Sequence, residues 1–438
     1  MNATTRQAPA PVGVSGLGGL TRGGVPLWLP LPFLLTGVGA AALFGALLPV
    51  IAPQALLAPG FPHVLALVHI VTLGWLTMTI MGASLQLAPV ILVSPLRAAR
   101  FAGAQYPVYL AGVTLLVTGF WLMNTGLLIV GGSIVILAVA HYIVIMGATI
   151  AGATKQPLTA RYLIASLVYL GIVVSLGLTA AFNLAFGFLG AGVQRLLLAH
   201  ITLGLAGWLT CTLMGVSYTL TRLFALVHSH PDTLGQRVFL LLNGGVVGLA
   251  TGFSLEWVPL EALGGLSLVV AVWLFALDYR RMLRARKRKP LDVTQYHTIA
   301  AVMYLVGTIT AAVGVALAGG GSEPAFVALG LAALVGWLGQ SAFGYLYKIV
   351  PFLIWQSRYG PLAGRQPVPL MRDLVHQRAA WLSFWLINGG LTLAILFAML
   401  DWIGAFQVAA MILGGGLLIA AVNVVGVVAP RRSPTRAG

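Results

Sequence analysis

Two histidines, His69 and His200, stand within long apolar stretches of this sequence and are its strongest candidates for chemistry. An ionisable or metal-binding side chain is costly inside a bilayer, so an intramembrane histidine indicates a functional site. Two neutral imidazoles from different helices at the same depth can ligate haem iron, or serve with other ligands around copper. The alternative is that each histidine hydrogen-bonds across helices to Thr72, Thr202 or a backbone carbonyl. Their matched depth favours the ligand role.

The remaining histidines are weaker candidates. His141 lies deep in another apolar stretch, where it could be a further metal ligand or a member of a proton relay. His228 and His230 have metal-like spacing in the segment HSHPD, although a solvated loop explains them more simply. His297 and His376 fall at the edges of apolar runs, where nothing requires a function. The predicted cofactor ligands are therefore His69 and His200, with His141 as an additional metal ligand.

The composition is that of a membrane protein. Hydrophobic residues make up 59% of the 438 residues and charged residues only 7%, whereas soluble domains contain roughly a quarter charged residues. The single cysteine, Cys211, excludes a disulfide framework within the chain. The net charge of +16 is spread over short gaps between apolar runs rather than along one groove-sized face, which argues against a nucleic-acid partner. The predicted environment is a lipid bilayer.

Twelve apolar runs are long enough to cross that bilayer as helices. They lie at 27–51, 62–93, 106–123, 127–152, 162–188, 194–226, 238–255, 259–279, 295–319, 324–355, 380–400 and 402–428. The predicted fold is an all-α polytopic membrane protein. Acidic residues are expected only at helix ends, as at Asp278 and Asp401, and not at helix centres.

Basic residues occupy every second loop between these runs. They are Arg97, Arg100, Lys155, Arg161, Arg222, Arg237, the run 280–289 and the arginines of 358–378, followed by Arg431, Arg432 and Arg436. The other loops carry acidic residues, with Arg195 as the basic exception. Since positively charged loops stay on the cytoplasmic side, both termini are predicted to be cytoplasmic in a bacterial-type inner membrane.

A segment of the chain occurs three times. GWLTMTIMGASLQLAPV at 74–90, GWLTCTLMGVSYTLTRL at 207–223 and GWLGQSAFGYLYKIVPF at 336–352 align without a gap. The prediction is three four-helix repeats at 27–152, 162–288 and 295–428, between a disordered leader at 1–26 and a tail at 429–438. Because four is even, all repeats cross in the same direction, which implies a pseudo-threefold axis along the membrane normal, unlike the inverted repeats of many transporters.

Six glycines recur at equivalent positions of these segments. They are Gly74, Gly82, Gly207, Gly215, Gly336 and Gly344, in pairs eight residues apart. Small residues there allow either another helix or a flat cofactor to approach the backbone. The sequence leaves these two interpretations open.

The pattern of His69, four residues, Gly74, seven residues, Gly82, six residues and Pro89 is similar to the second helix of the NnrS family. These are haem- and copper-associated membrane proteins linked to nitric oxide stress. Twelve helices in three four-helix units also resemble subunit I of the haem-copper oxidases. The resemblance implies a b-type haem or copper held by His69 and His200, a role in electron transfer or nitric oxide response, and an electron-donor protein or respiratory subunits as partners.

The chain departs from the oxidases at their oxygen-reducing centre. It has no His-x-His pair between 324 and 355, and Gly204 rather than tyrosine lies four residues after His200. If the protein is an enzyme, we expect a membrane oxidoreductase other than a complete oxygen-reducing oxidase. Two further functions stay open, which are a transporter or permease with its pathway along the axis, and a cofactor-free structural subunit of a respiratory complex.

Overall fold

A computed structural model describes residues 25–154, 156–227, 229–288 and 290–430, apart from the side chain of Arg100. Most of the predicted leader at 1–26 and of the tail at 429–438 lies outside these residues. Lys155, His228 and Lys289 lie outside them as well.

Within the described residues, twelve helices are long and apolar enough to span a membrane. They are α1 (Leu31–Leu57), α2 (Pro62–Leu92), α3 (Ala99–Trp121), α4 (Thr125–Ala151), α5 (Leu158–Phe186), α6 (Gly192–Ala225), α7 (Thr233–Leu255), α8 (Val258–Arg284), α9 (Val293–Leu317), α10 (Glu323–Leu362), α11 (Gln377–Met399) and α12 (Ile403–Gly426). The prediction of an all-α polytopic membrane protein is confirmed.

Local sequence signals set several helix ends. Asp292 caps α9 in a capping box with Gln295, and Asn124 caps α4 through its side chain. The helices α2 and α6 are followed by Val93 and Leu226, two equivalent positions with left-handed backbones at φ 51° and 56°. The third inner helix, α10, instead continues past this position to Leu362.

The inner helices are α2, α6 and α10, which contact one another, while the other helices surround them. Each of α3, α7 and α11 packs against the helix that follows it in the chain. Further contacts join α4 to α5, α8 to α9 and α12 to α1, which closes the ring of outer helices.

The two ends of the bundle differ in charge. We call the end with the loops at 93–98, 152–157, 226–232, 285–292 and 363–376 the basic face, and the other end the opposite face. At the basic face, the backbone of Arg97 donates to Thr149 Oγ1 at 3.1 Å and the backbone of Lys287 to the Leu226 carbonyl at 3.4 Å. At the opposite face, Arg195 pairs with Glu256 at 3.2 Å. The alternation of basic and acidic loops along the chain therefore puts the basic loops at one end of the bundle and the acidic loops at the other.

The repeated glycines serve helix packing. In each case a Cβ at the glycine would collide with, or press closely on, the helix that precedes the inner helix. The contacts are Gly74 to Ala40, Gly82 to Phe33, Gly207 to Tyr169, Gly215 to Tyr162, Gly336 to Tyr304 and Gly344 to Thr298, at 2.3 to 3.3 Å from the ideal Cβ. Of the two interpretations of these glycines, close helix packing is the one that the structure shows.

Candidate functional site

Each inner helix changes from α-helical to π-helical hydrogen bonding over eight residues, at the same point of the repeated sequence. The three π segments are Ile70–Thr77, Leu203–Thr210 and Ala332–Gly339. Each contains the Gly-Trp pair of its repeat. Because π-helical turns are rare and concentrate at functional sites, the three π segments make the centre of the bundle a candidate functional region.

Two hydrogen bonds join these π segments. Trp208 Nε1 donates to Thr77 Oγ1 at 2.9 Å, and Trp337 Nε1 donates to Thr210 Oγ1 at 2.9 Å. In both bonds the acceptor threonine belongs to the preceding repeated segment. It lies two residues after the tryptophan of that segment.

The third tryptophan makes no such bond. Trp75 reaches the third copy, where Gly339 holds the position of the two threonines. A Cβ on Gly339 would lie 2.5 Å from Cη2 of Trp75, so the indole fills the space that a side chain would need. Nε1 of Trp75 is buried and has no hydrogen-bond partner among the described residues.

His69 lies near the beginning of α2, directly before the first π segment. Its Nδ1 bonds to the carbonyl oxygen of Leu65 at 2.7 Å, and its ring stacks on Phe120 of α3 with centroids 4.8 Å apart. A carbonyl only accepts, so Nδ1 carries the hydrogen and the Nε2 atom of a neutral ring carries the lone pair.

His200 lies at the corresponding end of α6. Its Nδ1 bonds to the carbonyl oxygen of Val173 in α5 at 3.0 Å, and the ring packs over Gly177. Because this carbonyl also only accepts, the lone pair of a neutral His200 is on Nε2. Both histidines are half-buried, and in the described part of the chain neither Nε2 has a hydrogen-bond partner.

The two imidazoles lie near enough to interact electrostatically. Metal-binding histidines usually donate one ring N–H to a carbonyl or carboxylate, which orients the ring and leaves the other nitrogen for the metal. His69 and His200 both have this arrangement. As donors, two neutral imidazoles suit haem iron or copper.

The competing interpretation of cross-helix hydrogen bonding holds only in part. The hydroxyls of Thr72 and Thr202 bond to carbonyls one turn back in their own helices, at 2.9 and 2.8 Å, and not to the histidines. Backbone carbonyls do bind both Nδ1 atoms. Hydrogen bonding within the protein therefore accounts for Nδ1 of each ring but gives Nε2 no role.

His141 is half-buried in α4. In the ranges that the structure describes, no three or more His, Cys, Asp or Glu side chains form a group that could hold a metal ion. His141 thus does not complete a three-histidine set with His69 and His200, and its part in the site stays a prediction.

A cavity of about 50 Å³ lies between the three inner helices, on the basic-face side of the π segments. We call it the axial cavity. Aliphatic side chains line most of it, together with Thr79, Thr212 and Tyr345. The hydroxyls of both threonines are buried and have no partner among the described residues. A larger groove of about 780 Å³ lies between α4 and α5, and the three candidate histidines line neither space.

The structure corrects the interpretation of His230. Its Nε2 lies 2.7 Å from Oδ1 of Asp278, and the side chains are only 7% and 2% exposed. His230 is therefore a buried partner of a carboxylate and not a solvated loop residue. Asp278, likewise, lies inside α8 and not at its end, against the expectation for acidic residues. Sequence reasoning missed this pair because nothing local relates two residues 48 positions apart.

The structure also corrects the interpretation of His297. Its side chain is fully buried, and Nδ1 bonds to Oε1 of Gln340 in α10. Nε2 of His297 and Nε2 of Gln340 are both buried without a partner in the described part of the chain. Gln340 was the available signal, because an amide in an apolar helix requires a polar partner.

Comparison with models of known protein families and with curated proteins found no match for this chain.

Proposed function

We propose that this membrane protein binds a b-type haem or copper through Nε2 of His69 and His200, and that it acts in electron transfer or in the response to nitric oxide. One observation carries the proposal. Nδ1 of each ring donates a hydrogen bond to a backbone carbonyl, whereas Nε2 has no partner among the described residues.

The state of the two rings supports a ligand at these atoms. Neither Nε2 is among the buried side-chain atoms without a partner in the described residues, so both are accessible on half-buried rings. An oriented imidazole with an accessible lone pair is what a metal ion requires of a histidine ligand. The carbonyls of Leu65 and Val173 hold the rings in orientation, and Phe120 covers one face of His69.

The bound metal would supply one-electron chemistry, since iron and copper both change oxidation state. The chain supplies two neutral ligands, their orientation and an apolar surrounding. An apolar surrounding with neutral ligands favours the metal state of lower charge. An electron-donor protein or respiratory subunits would then be the functional partners.

We infer that the basic face is cytoplasmic, because short basic loops are retained on that side of a bacterial inner membrane. The termini are then cytoplasmic, and the histidine pair lies in the outer half of the bilayer. An electron donor would approach from outside the cytoplasm.

Three parallel four-helix repeats around a pseudo-threefold axis belong to the same proposal. The π segments at equivalent positions support it, as do the two Trp-to-Thr bonds, which run in one direction from each copy to the preceding one. The contacts of α4 with α5, α8 with α9 and α12 with α1 join successive copies in the same way.

A permease with its pathway along the axis is the second candidate function. The axial cavity favours it, because the cavity lies at the centre of the bundle and presents two unpartnered hydroxyls. At its outer end, the buried indoles of Trp75, Trp208 and Trp337 close the axis. A cofactor-free structural subunit is a third candidate, for which the test is co-purification with catalytic partners.

Metal loading distinguishes these functions. The protein should be produced with excess haem precursor or with excess copper, purified in detergent and analysed for iron and copper per chain. The proposal expects one of the two metals at a fixed ratio, and a loss of that metal in His69→Ala and His200→Ala. A permease or structural subunit would contain neither metal in any of the preparations.

A further inference from the structure

The most buried carboxylate in any ion pair of the described residues has an unusual partner. Asp278 pairs with His230, whose charge depends on a bound proton. The other pairs all use arginine or lysine, which stay charged. These are Glu256 with Arg195, Asp232 with Arg222, Asp292 with Arg288 and Lys348, and Asp373 with Arg372.

Because the partner is a histidine, the two side chains together are expected to hold one proton. A buried carboxylate requires either a positive partner or a proton of its own. With a histidine partner, both solutions need one proton, held on the imidazole or on the carboxyl group. Without that proton, a negative charge would remain on a side chain that is 2% exposed.

The surroundings leave an atom free to exchange that proton. Oδ2 of Asp278 is buried and has no hydrogen-bond partner in the described ranges. The hydroxyl of Tyr218 in α6 is also buried, and it lies close enough to Asp278 to interact with the carboxylate. Tyr162 of α5 also lies within electrostatic reach. Two buried polar atoms without partners are typical of sites that hold an exchangeable water molecule.

The nearby permanent charges do not replace the proton. Arg222 lies near Tyr218 but forms its ion pair with Asp232. Arg281, one turn beyond Asp278, is exposed to solvent. In the part of the chain that the structure describes, no arginine or lysine forms an ion pair with Asp278. Its charge therefore depends on His230.

Two further hydroxyl contacts involve residues that are sequence neighbours of Tyr218 and Asp278. Ser217, adjacent to Tyr218, bonds to Tyr345 with 2.6 Å between the hydroxyl oxygens, and Tyr279, adjacent to Asp278, donates to Thr298 Oγ1 at 2.6 Å. Tyr345 lines the axial cavity.

We propose that Asp278 and His230 form a proton-binding site that takes up one proton from the side of the basic face. His230 belongs to the loop at 226–232 on that face, and Asp278 lies directly beneath it in α8. The proton comes from water and binds to the imidazole or to the carboxyl group, so no bond other than that to the proton forms or breaks. The site does not depend on the metal proposed at His69 and His200.

Infrared difference spectroscopy of the purified full-length protein tests this site. Spectra are compared between about pH 5 and about pH 8, the range in which histidine changes charge. We expect the bands of the Asp278 carboxyl group and the His230 imidazole in the difference spectrum, in addition to those of the other histidines, and both should be altered by exchange into D₂O. Asp278→Asn should remove the carboxyl signal. His230→Lys should remove both signals, because its partner charge no longer depends on a proton in this range.

Asp401→Asn and His376→Gln are the matched controls, because Asp401 is exposed and His376 caps α11. Both should keep the signals of the pair. If Asp278→Asn does not fold, His230→Gln carries the test, since the buried carboxylate has then lost its partner and the carboxyl bands of Asp278 should differ from those of wild type. A wild-type spectrum identical to that of Asp278→Asn or His230→Lys would overturn the proposal, and so would carboxyl bands in His230→Gln that match those of wild type.

Discussion

The indole of Trp208 donates a hydrogen bond to the hydroxyl of Thr77, which lies 131 residues earlier in the chain. Both groups belong to π segments at the centre of the bundle, so this single bond ties α6 to α2 where the backbone leaves α-helical geometry. The bond from Trp337 to Thr210 ties α10 to α6 in the same way. Two side-chain hydrogen bonds thus link the three inner helices at their π segments.

Thr77→Val should destabilise the protein by about 1 kcal/mol, because it removes the acceptor of Trp208 and leaves a buried N–H without a partner. Valine has nearly the shape of threonine, so packing is preserved. Thermal unfolding in detergent, followed by tryptophan emission, measures the effect. Thr72→Val is the control, since Thr72 bonds only within its own helix. Equal stability of the two variants would contradict the prediction.

Gly339→Ala should cost about 1 to 3 kcal/mol of stability, because overpacking a filled core displaces side chains. The added Cβ would lie 2.5 Å from Cη2 of Trp75. Gly330→Ala, in the same helix, meets nothing within 4 Å and should be neutral or slightly stabilising. Unfolding curves of the two variants, measured side by side, test this prediction. A Gly339→Ala variant as stable as wild type would contradict it and show that Trp75 is free to move.

The sequence could predict what depends on local pattern. Apolar run length predicted twelve spans, and loop charges predicted which loops lie together. The repeated glycines predicted close approach, although not that the neighbour in every case would be the preceding helix. No local sequence pattern predicted the π segments, because their hydrogen bonding depends on how three helices that are distant in the chain pack together.

Contacts between residues far apart in the chain could not be predicted from the sequence either. His230 resembled a loop residue because nothing near it in the chain indicates that Asp278 lies beneath it. His297 resembled an edge residue because nothing near it in the chain indicates that Gln340 and Tyr347 of α10 lie against it. For His69 and His200, the sequence predicted the helices and the similar depth, and the structure added the carbonyl partners that leave both Nε2 atoms free.

Topology is open to direct labelling, because the native thiol of Cys211 is buried and should not react with a charged maleimide. Cysteines introduced at 94–105 or 280–292, such as Ala285→Cys, should be labelled only from the cytoplasm. Those at 254–260 or 320–324, such as Glu323→Cys, should be labelled only from the other side. The reverse pattern in intact cells and inverted vesicles would refute the orientation inferred from the loop charges.

We predict that the isolated chain does not reduce oxygen to water, even when loaded with haem. That reaction needs a second metal beside an open haem iron. Leu329 and Leu331 occupy the places in the third copy where a matching histidine would fall. Oxygen-electrode assays with an artificial electron donor should show no cyanide-sensitive turnover above that of free haem. Sustained turnover would place the protein among the complete oxidases.

The most direct test of the proposed metal site is the absorption spectrum of the purified protein together with its metal content, compared across histidine variants. Wild type should contain haem or copper and show the corresponding bands. His69→Ala and His200→Ala should each abolish or change those bands, while His376→Ala, whose ring caps α11, should retain them. A wild-type spectrum in His69→Ala, His200→Ala and the double variant would contradict the account, as would a wild-type protein that binds neither metal.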